Sequence, residues 1–312
     1  MLLHLPQSRQ MRGRMPWIAR FFPRFGEFSG KVWTLRISQA PFPPPANPVL
    51  LKATMRVFLP ILVPFVALLN SCAPELPPLP TGEGMPVYDQ PHRVEFLDME
   101  LVWIESLQSW VGKFEVSTNQ YTKFKMGHNV KRVAARFGLT APDQPVVGVS
   151  YEDAMDFAEW INERETEAGR LPSGWKYKLP AGDQWEEFAT CGHTRWTYPW
   201  GKEFPPPHGN IGDKSSATEN GLADYNDGFP VSCDVRKAGT NDWGLCGTFG
   251  NAAEWVDDWY GQSKTKRVFR GGSWRTMSKR SLETDFRGKN APTYKGDDIG
   301  FRLILTYTAP RP

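Results

Sequence analysis

The sequence predicts a mixed α+β fold in which irregular chain outweighs regular elements, and three observations predict it. The 312 residues include 28 Gly, 28 Pro and 13 Trp, a mixture that interrupts long elements and lets large aromatic side chains supply buried area. Helical periodicity is confined to three short stretches between residues 117 and 190. After Cys191 it disappears, and polar loops alternate with single aromatic anchors at Trp200, Trp243, Trp255, Trp259 and Trp274.

Composition narrows the class further. At 40% hydrophobic and 23% charged residues, neither wholesale disorder nor a multi-spanning membrane protein fits. The net charge of +3 is misleading: residues 1–54 hold eight Lys/Arg against Glu27 alone, and Arg56 is the only charge in 55–71. That leaves 28 basic and 33 acidic residues for 72–312, a net of −5. The basic excess is therefore not a property of the folding part, and a nucleic-acid partner is not expected.

Residues 1–54 are Arg- and Pro-rich without sustained periodicity, and read as an overextended start ahead of Met55. From Met55 one positive residue precedes 13 apolar ones through Leu69, then Leu69-Asn70-Ser71-Cys72, which is the anatomy of a secretion signal ending in a bacterial lipobox. Residues 55–72 are too short for a spanning helix and carry Pro60 and Pro64 inside. Cys72 is the expected acylated first residue of a lipid-anchored chain on the bacterial cell envelope, and Ala73 after it points to the outer membrane. Residues 73–92 contain six prolines and read as a semi-rigid tether.

Residues 93–312 read as one domain. Phe114-Glu-Val-Ser-Thr118 starts as a strand and runs into a helix over 119–124 with Ser117 or Thr118 as cap. Ser150 with Asp153 opens a second helix, whose Ala154, Phe157, Ala158 and Ile161 share one face. A third spans Gly182 to Thr190 and presents Trp185, Phe188 and Ala189 together. So much irregular chain needs partners for its backbone other than ladders, and metal ions or a disulfide are the obvious ones.

The order of five stretches resembles the formylglycine-generating-enzyme, or sulfatase-modifying-factor, family. They are Glu115-Val-Ser-Thr-Asn-Gln-Tyr121, Pro145-Val-Val-Gly-Val-Ser-Tyr-Glu-Asp-Ala154, Lys178-Leu-Pro-Ala-Gly-Asp-Gln-Trp-Glu-Glu187, Gly250-Asn-Ala-Ala-Glu-Trp255 and Arg267-Val-Phe-Arg-Gly-Gly-Ser-Trp274, closed by Asp298-Ile-Gly-Phe-Arg302. The resemblance implies an elaborated C-type-lectin-like fold. It leaves the activity open, since the family holds both oxidases and proteins without catalysis.

The family's oxidases convert a sulfatase cysteine to formylglycine with oxygen and copper held by two cysteines. The matching positions here are Thr276 and Ser281, which cannot offer the soft thiolates that select Cu(I), so copper is not expected. Iron-using relatives need a histidine cluster, whereas His92, His128, His193 and His208 show no paired spacing. Calcium fits better: the resemblance places a site at Asn210, the Ile211 carbonyl, Asp227 and the Phe229 carbonyl, all hard oxygen donors. A second family site maps to Gly250, Ala252 and Glu254, with its side-chain ligand replaced by Gly247. With Cys72 assigned to lipid, three cysteines remain; Cys233 and Cys246 at the ends of one loop are the expected disulfide, closing 14 residues for about 3 kcal/mol.

The expected ligand surface is the cationic and aromatic segment from Arg275 to Asp298, with Ser273, Trp274, Arg275 and Arg287 as binding residues. Such a surface suits an acidic peptide, a glycan or an envelope protein. The functional expectation is a non-catalytic, membrane-anchored binding module. The rivals are a formylglycine-generating oxidoreductase and a structural lipoprotein of an envelope secretion or motility machine.

Overall fold

The computed structural model describes residues 76–130, 137–217 and 221–308, all within one unit of the chain, 69–312. The overextended start, the signal segment and Cys72 lie outside the described residues. The chain opens with three antiparallel strands, β1 (His92–Val94), β2 (Met99–Ile104) and β3 (Ser109–Gly112). Then come helices α1 (Thr118–Phe124) and α2 (Tyr151–Glu167), strand β4 (Trp175–Lys178) and helix α3 (Gly182–Ala189). A long irregular stretch follows before β5 (Ala253–Trp259), β6 (Arg267–Arg270), β7 (Gly288–Asn290), β8 (Ile299–Gly300) and β9 (Ile304–Tyr307).

Two sheets result. The first runs β1-β2-β3-β9-β4, so β9 fits between two strands that precede it by most of the domain. The second runs β7-β6-β5-β8, antiparallel except for the short β5–β8 pair. Every residue of β3 is buried because both faces of the first sheet are covered. Strand alternation sends Trp110 and Leu305 into a core with Phe157, Trp175, Tyr177, Trp255 and Phe301, and sends Val111 and Ile304 into another with Trp185, Phe188, Val256 and Val268.

The helix starts follow from local chemistry. Ser117 and Ser150 each accept a bond from the backbone N–H three residues on, while Gln120 and Asp153 reach back to the cap N–H. Along α2 the buried set is Tyr151, Ala154, Phe157, Ala158 and Ile161, plus Asn162 and Glu165. Asn162 exchanges two bonds with the backbone of Tyr177 (2.8 and 3.0 Å), which covers the outer edge of β4. Glu165 is neutralised by Arg170 at 2.6 Å.

Two expectations need correcting. Phe114 to Val116 does not join a ladder: Val116 instead exchanges single backbone bonds with Phe301 and Val146, because β9 already pairs with β3. The proline-rich segment is not a free spacer over its described part. Tyr88 stacks on Trp110 with ring centroids 5.8 Å apart, its hydroxyl donates to the Pro77 carbonyl at 2.7 Å, and Leu76 and Leu79 pack on the same core. The domain therefore begins before Arg93.

His92 sits 5% exposed within this core, 2.8 Å from the Tyr177 hydroxyl, and burial followed by the charge of Arg170 pulls its pKa down to about 4. The neutral ring is the folded form, so the unfolded chain binds the extra proton between pH of about 6.5 and 4. Stability is expected to fall by a few kcal/mol as pH drops through that window. Denaturant titrations at its two ends check this, and His92→Gln should flatten the difference.

Candidate functional site

After β6 the backbone turns at Gly271 and Gly272, both at positive φ (89° and 69°), where a Cβ would come within 2.9 Å of Trp185 and 2.8 Å of Leu282. This turn leads Ser273 into a cavity of about 220 Å³. Phe269, Phe286 and Met277 form its apolar side; Ser273, Thr276, Ser278, Ser281 and Asp298 supply oxygen. Thr276 and Ser281, five residues apart in sequence, share one cavity. The Ser273 hydroxyl donates to Asp298 at 2.9 Å and its backbone N–H donates to the Thr276 hydroxyl at 2.9 Å. Burial, ahead of the neighbouring Asp297 charge, raises the Asp298 pKa above the usual carboxylate value.

Of the expected ligand residues, only Ser273 lines this cavity. Trp274 is 0% exposed and belongs to a core cluster with Leu139, Val147, Val231 and Ala252. Arg275 pairs with Asp297 at 2.5 Å and Arg287 with Asp258 at 3.0 Å. The other cations of the segment are committed too: Arg280 to Glu283 and Asp285, Lys295 to Asp153, Lys279 over the Phe204 ring and Lys289 over Tyr260. The expected open cationic groove is instead taken up by ion pairs at Arg275, Arg280, Arg287 and Lys295 and by ring contacts at Lys279 and Lys289, which corrects the sequence reading. Phe286 and Asp298 do line the cavity; the sequence marked Asp298 only as the start of a motif.

At the first calcium position Asn210 and Ile211 are buried, and Asp227 and Phe229 half-buried. Asn210 is 0% exposed; its Nδ2 donates to the Val231 carbonyl and to Asn251 Oδ1, while its Oδ1 has no partner. Asp227 accepts from the backbone N–H groups of Ile211 and Phe229, both at 2.9 Å, the second closing an Asx turn. Asp213, missed in the sequence, is buried beside it and accepts the Asp227 N–H. Burial first, then Asp213, pushes the Asp227 pKa up to about 6. The Asn210 amide oxygen has no hydrogen-bond partner, and buried Asp213 with half-buried Asp227 adds hard carboxylate oxygens in the same loop region, so the donor types fit calcium.

The second position does not fit. Both Glu254 oxygens are saturated: Arg302 donates to them at 2.7–3.0 Å and the Trp185 indole at 2.8 Å. Arg302 also takes the carbonyls of Gly112, Cys246 and Gly247. At Gly247 a Cβ would lie 2.8 Å from the Glu115 carboxylate, so the missing side-chain ligand has its space filled. Glu115 accepts from Asn251 Nδ2 and the Ala252 N–H, and burial followed by Glu254 pushes its pKa up to about 8. Glu254 is thus committed to the Arg302 ion pair, the Ala252 N–H to Glu115 and the Gly250 N–H to the Gly271 carbonyl.

Cys191, Cys233 and Cys246 are free thiols in the structure, not the expected disulfide. Cys246 Sγ turns to the Thr240 hydroxyl at 3.0 Å, and burial near Glu115 pushes the Cys233 thiol up to about 12. Among the described residues no three His, Cys, Asp or Glu side chains gather as metal ligands.

Comparison with known proteins agrees with this architecture. Residues 99–307 match the model of the sulfatase-modifying factor enzyme 1-like domain, so the chain belongs to that family. The inactive C-alpha-formylglycine-generating enzyme 2 of Bos taurus is 31% identical over 171 residues, covering 51% of this chain and 49% of that protein. A formylglycine-generating enzyme of Streptomyces coelicolor is 28% identical over 199 residues, 54% of this chain and 55% of its own length. The chain therefore spans about half the length of these relatives. Among solved structures, Treponema denticola variable protein 1 aligns with a TM-score of 0.52 at 20% identity, over 73% of this chain and all of that one. That likeness shows the fold, α+β and C-type-lectin-like.

The calcium fit has a measurable consequence. An ion at a hundredfold excess over its Kd adds about 2.7 kcal/mol, worth about 5–10 °C in a domain of this size. Chelator is expected to lower Tm by that amount, and Asp227→Asn to abolish the response. Because the ion needs the Asp227 carboxylate, whose pKa without it is about 6, affinity should fall about tenfold per pH unit below that value. Differential scanning fluorimetry at pH 7.5 and 5 checks both statements.

Proposed function

We propose that this domain is a binding module on the cell envelope, not an oxidase, and that its cavity holds part of a peptide or glycan partner. The observation carrying the reading is that Thr276 and Ser281 line one cavity; the family resemblance assigns to these two positions the cysteines with which its oxidases hold copper. A neutral hydroxyl is a hard, protonated donor with almost no affinity for Cu(I), and no cysteine follows Cys246 in the chain to replace it. What the cavity retains is a recognition surface. Hydroxyls can donate and accept, Asp298 accepts, and the Phe269–Phe286 side offers apolar contact. Calcium at Asn210 and Asp227 would stiffen the loop that feeds this region, since Gly212 N–H bonds the Thr276 carbonyl at 3.1 Å.

Two experiments test the proposal. Purified protein is expected to contain no stoichiometric copper and to form no formylglycine on a sulfatase-type cysteine peptide, read by mass spectrometry of the peptide. Thr276→Cys with Ser281→Cys should gain Cu(I) affinity, because both thiols would line the same cavity. Turnover by the unmodified protein, free of host enzyme, would overturn the reading.

The anchoring half rests on Leu69-Asn70-Ser71-Cys72. A single acyl chain gives only marginal membrane binding, so stable attachment requires the multiply acylated Cys72 that a lipobox specifies. Cys72→Ser is expected to shift the protein from the membrane fraction to the soluble one. Unchanged fractionation would remove the anchor from the proposal.

A further inference from the structure

A second cavity, of about 450 Å³, opens at the turn between β2 and β3 and shares no lining residue with the first. The end of β2 supplies Trp103 and Ile104, the turn supplies Glu105 and Ser106, and the irregular stretch before β5 supplies Trp243. Each indole has its own anchor. Trp103 packs on Trp110 with ring centroids 4.6 Å apart and on Tyr88 at 5.3 Å, and its Nε1 donates to Glu105 Oε2 at 2.8 Å. At Trp243 the anchor is Asn241. Its Oδ1 accepts the backbone N–H groups of Trp243 and Leu245, both at 3.1 Å, while its Nδ2 donates to the Phe188 carbonyl at 2.9 Å. Trp243 also packs on the core cluster that contains Ile104 and Phe188. Two half-buried indoles from distant parts of the chain are therefore held at one cavity.

The lining carries a single charge, the exposed Glu105 carboxylate, and no cation. Among the described residues Glu105 pairs with no Lys or Arg, and no Lys or Arg lies over either indole. Indole rings beside a carboxylate suit a cation that also carries apolar surface. The polar groups decide which cation. A primary ammonium or a guanidinium brings several N–H donors, and a pyranose several hydroxyls, each needing a partner once desolvated. Only Glu105 and Ser106 offer side-chain oxygens here, and one Glu105 oxygen already serves Trp103. A trimethylammonium group has no N–H to satisfy and turns methyl surface to the rings. A phosphate ester attached to it would meet Glu105 and no cation, which disfavours a lipid headgroup. We propose that this cavity binds a small, soluble trimethylammonium compound of the choline type, with Trp103 and Trp243 against its methyl groups and Glu105 as counter-charge. The site goes beyond the partner-binding reading above and does not rest on it.

The test titrates choline chloride, its uncharged carbon isostere neohexyl alcohol, ethanolamine, phosphocholine and glucose into the purified protein at constant ionic strength, read by NMR of the ligand. Choline is expected to bind at least about fivefold more tightly than the isostere and than ethanolamine. Glu105→Gln, which leaves an acceptor for the Trp103 N–H, should bring choline down to the level of the isostere. Trp243→Ala should weaken both. Should the Ala variant fail to fold, Glu105→Gln on the exposed turn and the ligand series on the unaltered protein decide. Equal binding of choline and the isostere overturns the role of Glu105 and with it the proposal. Tighter binding of ethanolamine or glucose overturns the trimethylammonium class, and tighter binding of phosphocholine overturns the exclusion of a headgroup. Choline binding unchanged in both variants, or none at a concentration on the order of tens of millimolar, overturns the site itself.

Discussion

Arg302 is the tie on which the rest of the molecule depends. Its fully buried guanidinium donates to Glu254 and to the backbone carbonyls of Gly112, Lys113, Cys246 and Gly247. It therefore joins the end of β3, the loop before β5 and β5 itself, across separations of up to 190 residues. A buried ion pair of this kind contributes little against an apolar substitute, but breaking it leaves a stranded charge and costs on the order of 3–5 kcal/mol. Burial and then Glu254 push the neighbouring Glu115 up to about 8, while Arg302, Asn251 Nδ2 and the Ala252 N–H oppose that rise. The Arg302–Glu254 pair is thus satisfied inside the protein.

From this centre the two candidate sites lie on either side of Asn251. Its carbonyl accepts from Trp274 N–H, at the cavity, and its N–H donates to the Asn210 carbonyl, at the calcium position. Asn251 adopts positive φ (55°), a conformation that Asn tolerates better than most residues. One residue at positive φ thus bonds, through its own backbone, both the Asn210 loop and the turn at the cavity.

Much of this was legible in the sequence, for reasons that differ by element. The starts of α1 and α2 could be read because a cap is a local bargain among four residues. The apolar face of α2 could be read because its period is unambiguous. The strands were not, since β1, β7 and β8 are only two or three residues long and depend on distant partners. The cationic surface misled because Arg287 finds Asp258 and Lys295 finds Asp153 far away in sequence, and such pairing leaves no local trace. Trp274 misled differently: a tryptophan beside a predicted pocket serves a core as well as a ligand, and here it serves the core. Cys233 and Cys246 had a plausible loop between them, but Thr240 supplies one thiol with a partner in that loop.

The position of β9 has a consequence for how the protein comes into being. Its neighbours β3 and β4 are made early, yet neither can complete its ladder until β9 emerges, and the hydroxyl bond from Ser109 to Thr306 spans 197 residues. Trp110 and Trp175 must wait with apolar surface uncovered for most of synthesis. Non-local closure of this kind slows folding and lengthens exposure to aggregation. A polypeptide of this topology cannot close its first sheet until β9 has been made, so its apolar strands stay open to other partners until then.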